Sequence, residues 1–263
     1  MRIARHIMFG LCFFLPACAD RDAGTGKSRD ATVRPATAES SNSDARSGAS
    51  DFNILFVGNS HTIVHDIPRL VCKMISFRFP DRRPYSSTVG VAFLADAFAN
   101  GEFKQELDAR TWKYLVLQAQ KISQSGRYLY SRKEGIEMAK LARSRGAGVI
   151  FYSEWGLRGK PGDGRRNEKI YGEMAKASGA AVAPVGTAWD LALARRPDLP
   201  LYSDDGNHQA PTGAFLTACV LFGRLTGETP TVLASFNYPG ITEKDRKLLT
   251  QAAADALASK AVD

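Results

Sequence analysis

Histidine and cysteine are scarce in this chain: four of each occur among 263 residues. Neither set falls at metal-ligand spacings, so neither a zinc centre nor a disulfide-dense scaffold is expected, and no motif calls for a cofactor. Long apolar runs are missing too. Ile7 to Leu15 is only nine residues, well short of the roughly 20 that a spanning helix needs. No basic stripe interleaved with aromatics occurs, which argues against nucleic acid as a partner. There is also no Gly-rich phosphate loop and no Lys-Ser/Thr pair to hold a nucleotide phosphate. From Asp20 to Ser50 there is no aromatic residue, and Val33 is the one large aliphatic. Such a stretch cannot bury enough apolar surface to offset its ordering entropy.

What is present divides the chain into three. Arg2, Arg5 and His6 precede the Ile7–Leu15 run, the pattern of a secretory signal, so residues 1–19 are expected to direct export. Ala17-Cys18-Ala19 fits ordinary signal cleavage, whereas Leu15-Pro16-Ala17-Cys18 is similar to a bacterial lipobox. Plain secretion, a retained signal anchor and a membrane tether through a lipidated Cys18 all remain open. Residues 20–50 form an expected linker with an end-to-end distance of about 30 Å as a flexible coil. Residues 51–263 form the expected folded domain. The formal charge of +8 includes Arg2 and Arg5, and the linker holds five residues of each sign, which leaves +6 on the domain. Cys72 and Cys219 are the domain's two cysteines. Each sits in an apolar helical pattern, either as a buried thiol or as half of a disulfide that an oxidising compartment permits.

Within the domain, short apolar runs alternate with longer segments of helical period. Strands are predicted at Asn53–Val57, Tyr85–Val89, Lys113–Leu117, Gly148–Tyr152 and Ala181–Val185. Helices are predicted near Ile67–Arg78, Leu94–Leu107, Arg132–Arg145, Glu168–Ser178, Pro211–Leu225 and Glu243–Ala258, with Gly146 and Gly179 as C-terminal stops. Five parallel strands joined by right-handed helical crossovers imply an α/β fold, a three-layer α/β/α sandwich with a flavodoxin-like or Rossmann-like winding. Ligands in such sheets bind beyond the carboxyl ends of the strands.

The first predicted strand runs into "ILFVGNSHT", Ile54 to Thr62, which delivers Ser60 to that edge. A serine hydroxyl needs a base to act as nucleophile. Beyond the signal segment the histidines are His61, His65 and His208. His61 adjoins Ser60, and adjacent side chains at a strand-to-helix turn tend to diverge. His208 lies in "SDDGNHQAPTGAFL", three residues after Asp205 and just before a helix. There Asp205 could fix one imidazole nitrogen and leave the other to face Ser60.

These two stretches resemble the first and last blocks of the SGNH (GDSL-type) hydrolases, serine esterases of flavodoxin-like α/β/α fold. Gly58-Asn59-Ser60 stands where the family usually has Gly-Asp-Ser, and Asp205-Gly206-Asn207-His208 matches the family's Asp-x-x-His. The resemblance implies a five-stranded parallel sheet and catalytic roles for Ser60, His208 and Asp205. It also implies an oxyanion hole made of the Ser60 N–H, a glycine N–H and an asparagine amide. Gly90 fits the glycine. After "KYLVL" the chain reads Gln118-Ala119-Gln120 in place of Gly-x-Asn, so Gln120 falls at the asparagine's position with the same amide on a longer arm.

The glycine- and arginine-rich segment Ser153 to Lys169 leaves the fourth strand on the same edge. It is either a solvated loop or a substrate loop that presents Trp155 to a sugar ring and Arg158 or Lys160 to an anion. The expected function is an exported ester hydrolase that removes a small acyl group from a carbohydrate. The competing reading is an envelope-anchored carbohydrate-binding protein on the same fold, without useful turnover.

Overall fold

The structure, a computed structural model, describes residues 52–123, 125–160 and 162–259. The expected signal segment, Cys18 and the linker lie outside the described residues. The chain opens with β1 (Asn53–Gly58), a short α1 (Ser60–Ile63) and α2 (Ile67–Arg78), then β2 (Tyr85–Gly90), α3 (Leu94–Ala99) and α4 (Glu102–Ala109). It continues through β3 (Tyr114–Leu117), α5 (Lys133–Ser144), β4 (Gly148–Tyr152), α6 (Asp163–Ser178), β5 (Ala181–Ala183) and α7 (Val185–Arg195). It closes with α8 (Pro211–Thr226), a 3-10 turn at Pro230–Ser235 and α9 (Glu243–Ala258). The five strands are all parallel in the order β2-β1-β3-β4-β5. That order is the flavodoxin-like winding, and its direction reverses between β1 and β3.

Alternation along β1 shows how the sheet separates two cores. Ile54 and Phe56 face one side with α2, α7, α8 and α9, while Leu55 and Val57 face the other with α3, α4, α5 and α6. All four side chains are fully buried, each contributing about 1.5–3 kcal/mol through removal from water. Such strands, covered on both faces, are continuous apolar runs for that reason. Helix α8 is buried almost around its whole circumference. At Gly213 an added Cβ would lie 2.3 Å from the Leu201 carbonyl oxygen and 2.6 Å from the Trp189 ring, so this close approach admits only glycine.

Three expected elements differ from the structure. The single helix expected over Leu94–Leu107 is two, broken where Gly101 takes φ +80° and Asn100 Oδ1 accepts the Glu102 N–H at 3.0 Å. The last strand stops at Ala183 instead of Val185, because Pro184 has no N–H for a ladder and α7 begins directly after it. Helix α7 has no counterpart among the expected elements. Helix α6 also starts five residues earlier than Glu168, at Asp163. Cys72 and Cys219 are free thiols, half-buried and buried respectively. Among the described residues no helix is long and apolar enough to cross a membrane.

Candidate active site

The carboxyl end of β1 turns sharply into α1, and Ser60 is exposed as the helix's first residue. Gly58 is required there. A Cβ would fall 2.2 Å from Thr62 Oγ1 and 2.9 Å from Gln118 Oε1, which meet directly above it. Asn59 caps α1, its Oδ1 accepting the His61 N–H at 3.0 Å. Asn59 thus does the capping work for which aspartate is equally suited. The same Gln118 contact holds the turn: Gln118 Oε1 accepts from Asn59 N at 3.2 Å and from Thr62 Oγ1 at 2.7 Å.

His208 arrives from the turn before α8. Asp205 Oδ1 accepts the N–H groups of Asn207 and His208, both at 2.9 Å, and its Oδ2 lies 2.5 Å from His208 Nδ1. The bond to His208, followed by the two backbone donors, holds the Asp205 carboxyl well below the usual range. A carboxylate can only accept, so Nδ1 carries a proton, and in the neutral ring Nε2 is the nitrogen with the lone pair. Ser60 Oγ lies 2.8 Å from that Nε2. A serine, an imidazole and a carboxylate from opposite ends of the domain are thereby joined in the order that proton abstraction from the serine requires.

Gln209 ties the two sequence blocks together. Fully buried, it donates from Nε2 to the carbonyls of Val64 (2.8 Å) and His61 (3.2 Å). His65 Nε2 in turn donates to the Gln209 carbonyl at 3.1 Å. His65 and Asp66 both take left-handed backbone conformations, φ 60° and 49°. These cost about 1–2 kcal/mol per residue, which the Gln209 bonds and the Asp66 cap on α2 (Oδ1 accepting from Arg69 N, 3.3 Å) help to offset.

His61, despite its adjacency to Ser60, points elsewhere. Its ring stacks on Trp155 at 4.6 Å and meets the His208 ring edge-on at 5.4 Å. Burial, then the neighbouring His208, pushes its pKa down to about 4. It is therefore neutral at pH 7.

The loop after β4 differs from the expectation. Trp155 is only 3% exposed, sandwiched between His61 and Trp189, whose ring lies 4.0 Å away and nearly parallel. Its Nε1 donates to the Asn207 carbonyl at 2.8 Å. Arg158 is turned toward the His208 turn as well. Its guanidinium donates to the carbonyls of Ser203 (2.5 Å) and Tyr202 (3.3 Å), and its backbone N–H donates to Gly206 O at 2.8 Å. Both residues brace the Asp205–His208 turn, Trp155 from a buried position at the cleft wall and Arg158 from the exposed surface.

A cleft of about 160 Å³ is lined by His61 and Asn207, the chain neighbours of Ser60 and His208, together with Gln120, Glu154, Trp155 and Asn167; Ser60 and His208 themselves are not part of its lining. Gln120 stands at its wall, with Nε2 donating to the Ile122 carbonyl at 2.7 Å. An amide nitrogen has a second hydrogen, which this bond leaves unspent. Gly90 ends β2 in register with Gly58, and Val91 N donates to Gly58 O at 2.9 Å, so Gly90 lies beside the Ser60 turn. The side chains not foreseen are Gln118, Glu154 and Gln209. Each is a polar residue beside a motif, and that adjacency was the available signal. Among the described residues no group of three or more His, Cys, Asp or Glu could hold a metal ion.

Fold and site geometry together define a flavodoxin-like α/β/α domain with a serine, histidine and aspartate at its carboxyl edge. No protein-family model matches the sequence, and no curated protein matches it. Solved structures do share the fold. A DUF4886 family protein from Bacteroides uniformis superposes with a TM-score of 0.60 at 14% identity, over 79% of this chain and 95% of its own. An acetylxylan esterase from Geobacillus stearothermophilus, solved as a catalytic mutant, gives 0.58 at 12% identity over 68% and 96%. A protein assigned provisionally to the SGNH hydrolases, from Slackia heliotrinireducens, gives 0.53 at 22% identity over 65% and 97%.

Proposed function

We propose that the protein is an exported serine ester hydrolase of the SGNH type that removes small acyl groups, acetyl foremost, from a carbohydrate. The observation that carries this reading is the 2.8 Å approach of Ser60 Oγ to His208 Nε2 while Asp205 occupies Nδ1 at 2.5 Å. In the proposed reaction Ser60 Oγ attacks the acyl carbonyl as Nε2 takes its proton, and Asp205 stabilises the imidazolium that forms. The Ser60 N–H, the Gly90 N–H and the Gln120 amide receive the developing oxyanion. Collapse expels the alcohol, which leaves with the proton from Nε2. Water, deprotonated by His208, then attacks the acyl-Ser60 ester and releases the acid.

Two observations support the substrate class. The cleft wall is rich in amides and hydroxyls, including Gln120, Ser123, Asn167 and Asn207, which suits a polyhydroxylated alcohol. Proteins of similar fold include acetylxylan esterases. Export, and a membrane tether through Cys18, rest on the N-terminal sequence pattern.

The test is hydrolysis of p-nitrophenyl acetate and of an acetylated oligosaccharide by the wild type, Ser60→Ala and His208→Ala. The wild type should turn over both substrates, and the variants should lose about 10⁴-fold or more in kcat. Equal rates in all three proteins would sink the mechanism.

A further inference from the structure

The resemblance to SGNH hydrolases leaves one residue pair without a role. Gln118 stands where that family usually has glycine, and Glu154 follows β4. Both are buried, Gln118 completely and Glu154 at 3% exposure. Gln118 Nε2 donates to Glu154 Oε2 at 2.8 Å, on the opposite side of the amide from Asn59 N and Thr62 Oγ1. The orientation of this amide is forced. A backbone N–H can only donate, so Asn59 demands Oε1, and Nε2 must then find an acceptor at position 154.

We propose that Glu154 is a positioning residue that, through Gln118, holds the Asn59–Ser60 backbone where Ser60 Oγ meets His208 Nε2. Three observations carry this assignment. First, Gln118 reaches Glu154 on one side and, on the other, both the N–H that immediately precedes Ser60 and the Thr62 hydroxyl of α1. Second, Gly58 leaves room for that amide and no more, since its absent Cβ would touch Gln118 Oε1 at 2.9 Å. Third, the carboxyl is buried at a cost an apolar residue would not carry, and the groups that offset it are Gln118, Tyr171 and Lys121, whose backbone N–H and buried ammonium both face Glu154. Burial pushes the Glu154 pKa up. The other hydroxyl contact of Glu154 does not fix it. Tyr171 has one phenolic proton, with Ala119 O at 2.5 Å as the nearer acceptor and Glu154 Oε2 at 3.1 Å.

Without an acceptor at 154, Gln118 Nε2 would be a buried donor with no partner. The amide would then flip or withdraw, and either movement shifts the turn beneath Ser60. Displacements on the order of 1 Å in a reacting group cost about 10²-fold in rate.

The assignment rests on the ester-hydrolase reading, so the test uses a readout that needs no ester. In the full chain, kcat and KM on p-nitrophenyl acetate, the rate of fluorophosphonate labelling at Ser60 and the melting temperature would be measured for wild type, Glu154→Leu, Glu154→Gln and Thr187→Val. Glu154→Leu should lose about 30- to 100-fold in kcat and in labelling rate with KM within about twofold. Glu154→Gln keeps an acceptor oxygen for Gln118 and should stay within about fivefold of wild type. Thr187→Val removes a buried hydrogen bond to Glu168, between α6 and α7, and should lower the melting temperature without slowing labelling. Equal losses in Glu154→Leu and Glu154→Gln, or wild-type labelling by Glu154→Leu, would overturn the assignment. A wild type that hydrolyses no ester yet is labelled at Ser60 would overturn the substrate reading alone, and the labelling rates would still decide the role of Glu154.

Discussion

The turn that carries Ser60 and the turn that carries His208 meet at the Ser60–His208 pair and through Gln209, but are held by different means. The Ser60 turn is fixed from inside the domain. Gly58 leaves no space for a side chain, Thr62 is buried, and the buried amide of Gln118 links the turn to Glu154 at the cleft wall. The His208 turn lies at the surface, where Asp205 keeps about half its side chain exposed. It is held by the Asp205 cap and by carbonyl bonds from Trp155 and Arg158, both on the loop after β4. One turn is therefore limited by packing and buried polarity. The other is limited by surface hydrogen bonds, each worth less because water competes for them.

Variants can break this comparison at either end, and the largest effect belongs to the imidazole's partner. Asp205→Asn preserves the shape of the turn but offers Nδ1 a group that can donate, so the wrong tautomer faces Ser60. We expect kcat to fall by about 10³- to 10⁴-fold with little change in melting temperature, read from ester hydrolysis and thermal unfolding of the same preparations. Gly58→Ala attacks the packed turn instead. Its methyl would overlap Thr62 Oγ1, and urea unfolding should show a loss of about 3 kcal/mol together with reduced activity.

His61 gives the next effect, and its sign follows from proton binding. The folded state holds its pKa at about 4 against the ordinary histidine value of 6.5, so the unfolded chain binds more protons between those values. The stability involved is complete above the unfolded pKa and declines as pH falls toward 4. Urea unfolding of the wild type at pH 8 and pH 5 should differ by about 2 kcal/mol from this group alone. In His61→Gln that part of the difference should vanish, whatever the variant's stability at pH 8. The smallest effect is expected at the surface brace. Arg158→Ala removes the Nη2 bonds to Ser203 and Tyr202, and kcat should drop by about tenfold, with Arg158→Lys intermediate because its shorter arm does not carry the ammonium to the position of Nη2.

Much of this architecture is legible in the sequence, for identifiable reasons. Helices at Ile67–Arg78 and Glu243–Ala258 have the bounds that their patterns suggest, since one apolar stripe and a clear start mark each of them. The five strands follow from apolar runs spaced by helical segments. Helix α7 escapes because its opening Val185 continues an apolar run through Pro184. The break between α3 and α4 escapes because helical spacing continues across Asn100-Gly101 while the backbone does not. At the site, Ser60, Asp205 and His208 are legible because motif and chemistry agree on them. Gln118, Glu154 and Gln209 are not. Gln118 and Glu154 come at the ends of apolar runs, where a polar residue looks like a strand reaching water, and Gln209 sits in a polar turn; only the fold reveals that these side chains turn inward. Trp155 misleads for the opposite reason. An aromatic in a glycine- and arginine-rich loop resembles a ligand platform until its neighbours, His61 and Trp189, are seen to cover both faces.

The central claim is that His208, remote in sequence, activates Ser60 while the adjacent His61 does not. Fluorophosphonate labelling followed by peptide mapping addresses it directly in wild type, His208→Gln and His61→Gln at pH 7.5. The account predicts a label on Ser60, a labelling rate reduced by about 10³-fold or more in His208→Gln, and a rate within about tenfold of wild type in His61→Gln. Loss of labelling in His61→Gln with retention in His208→Gln, or a label on another residue, would contradict it.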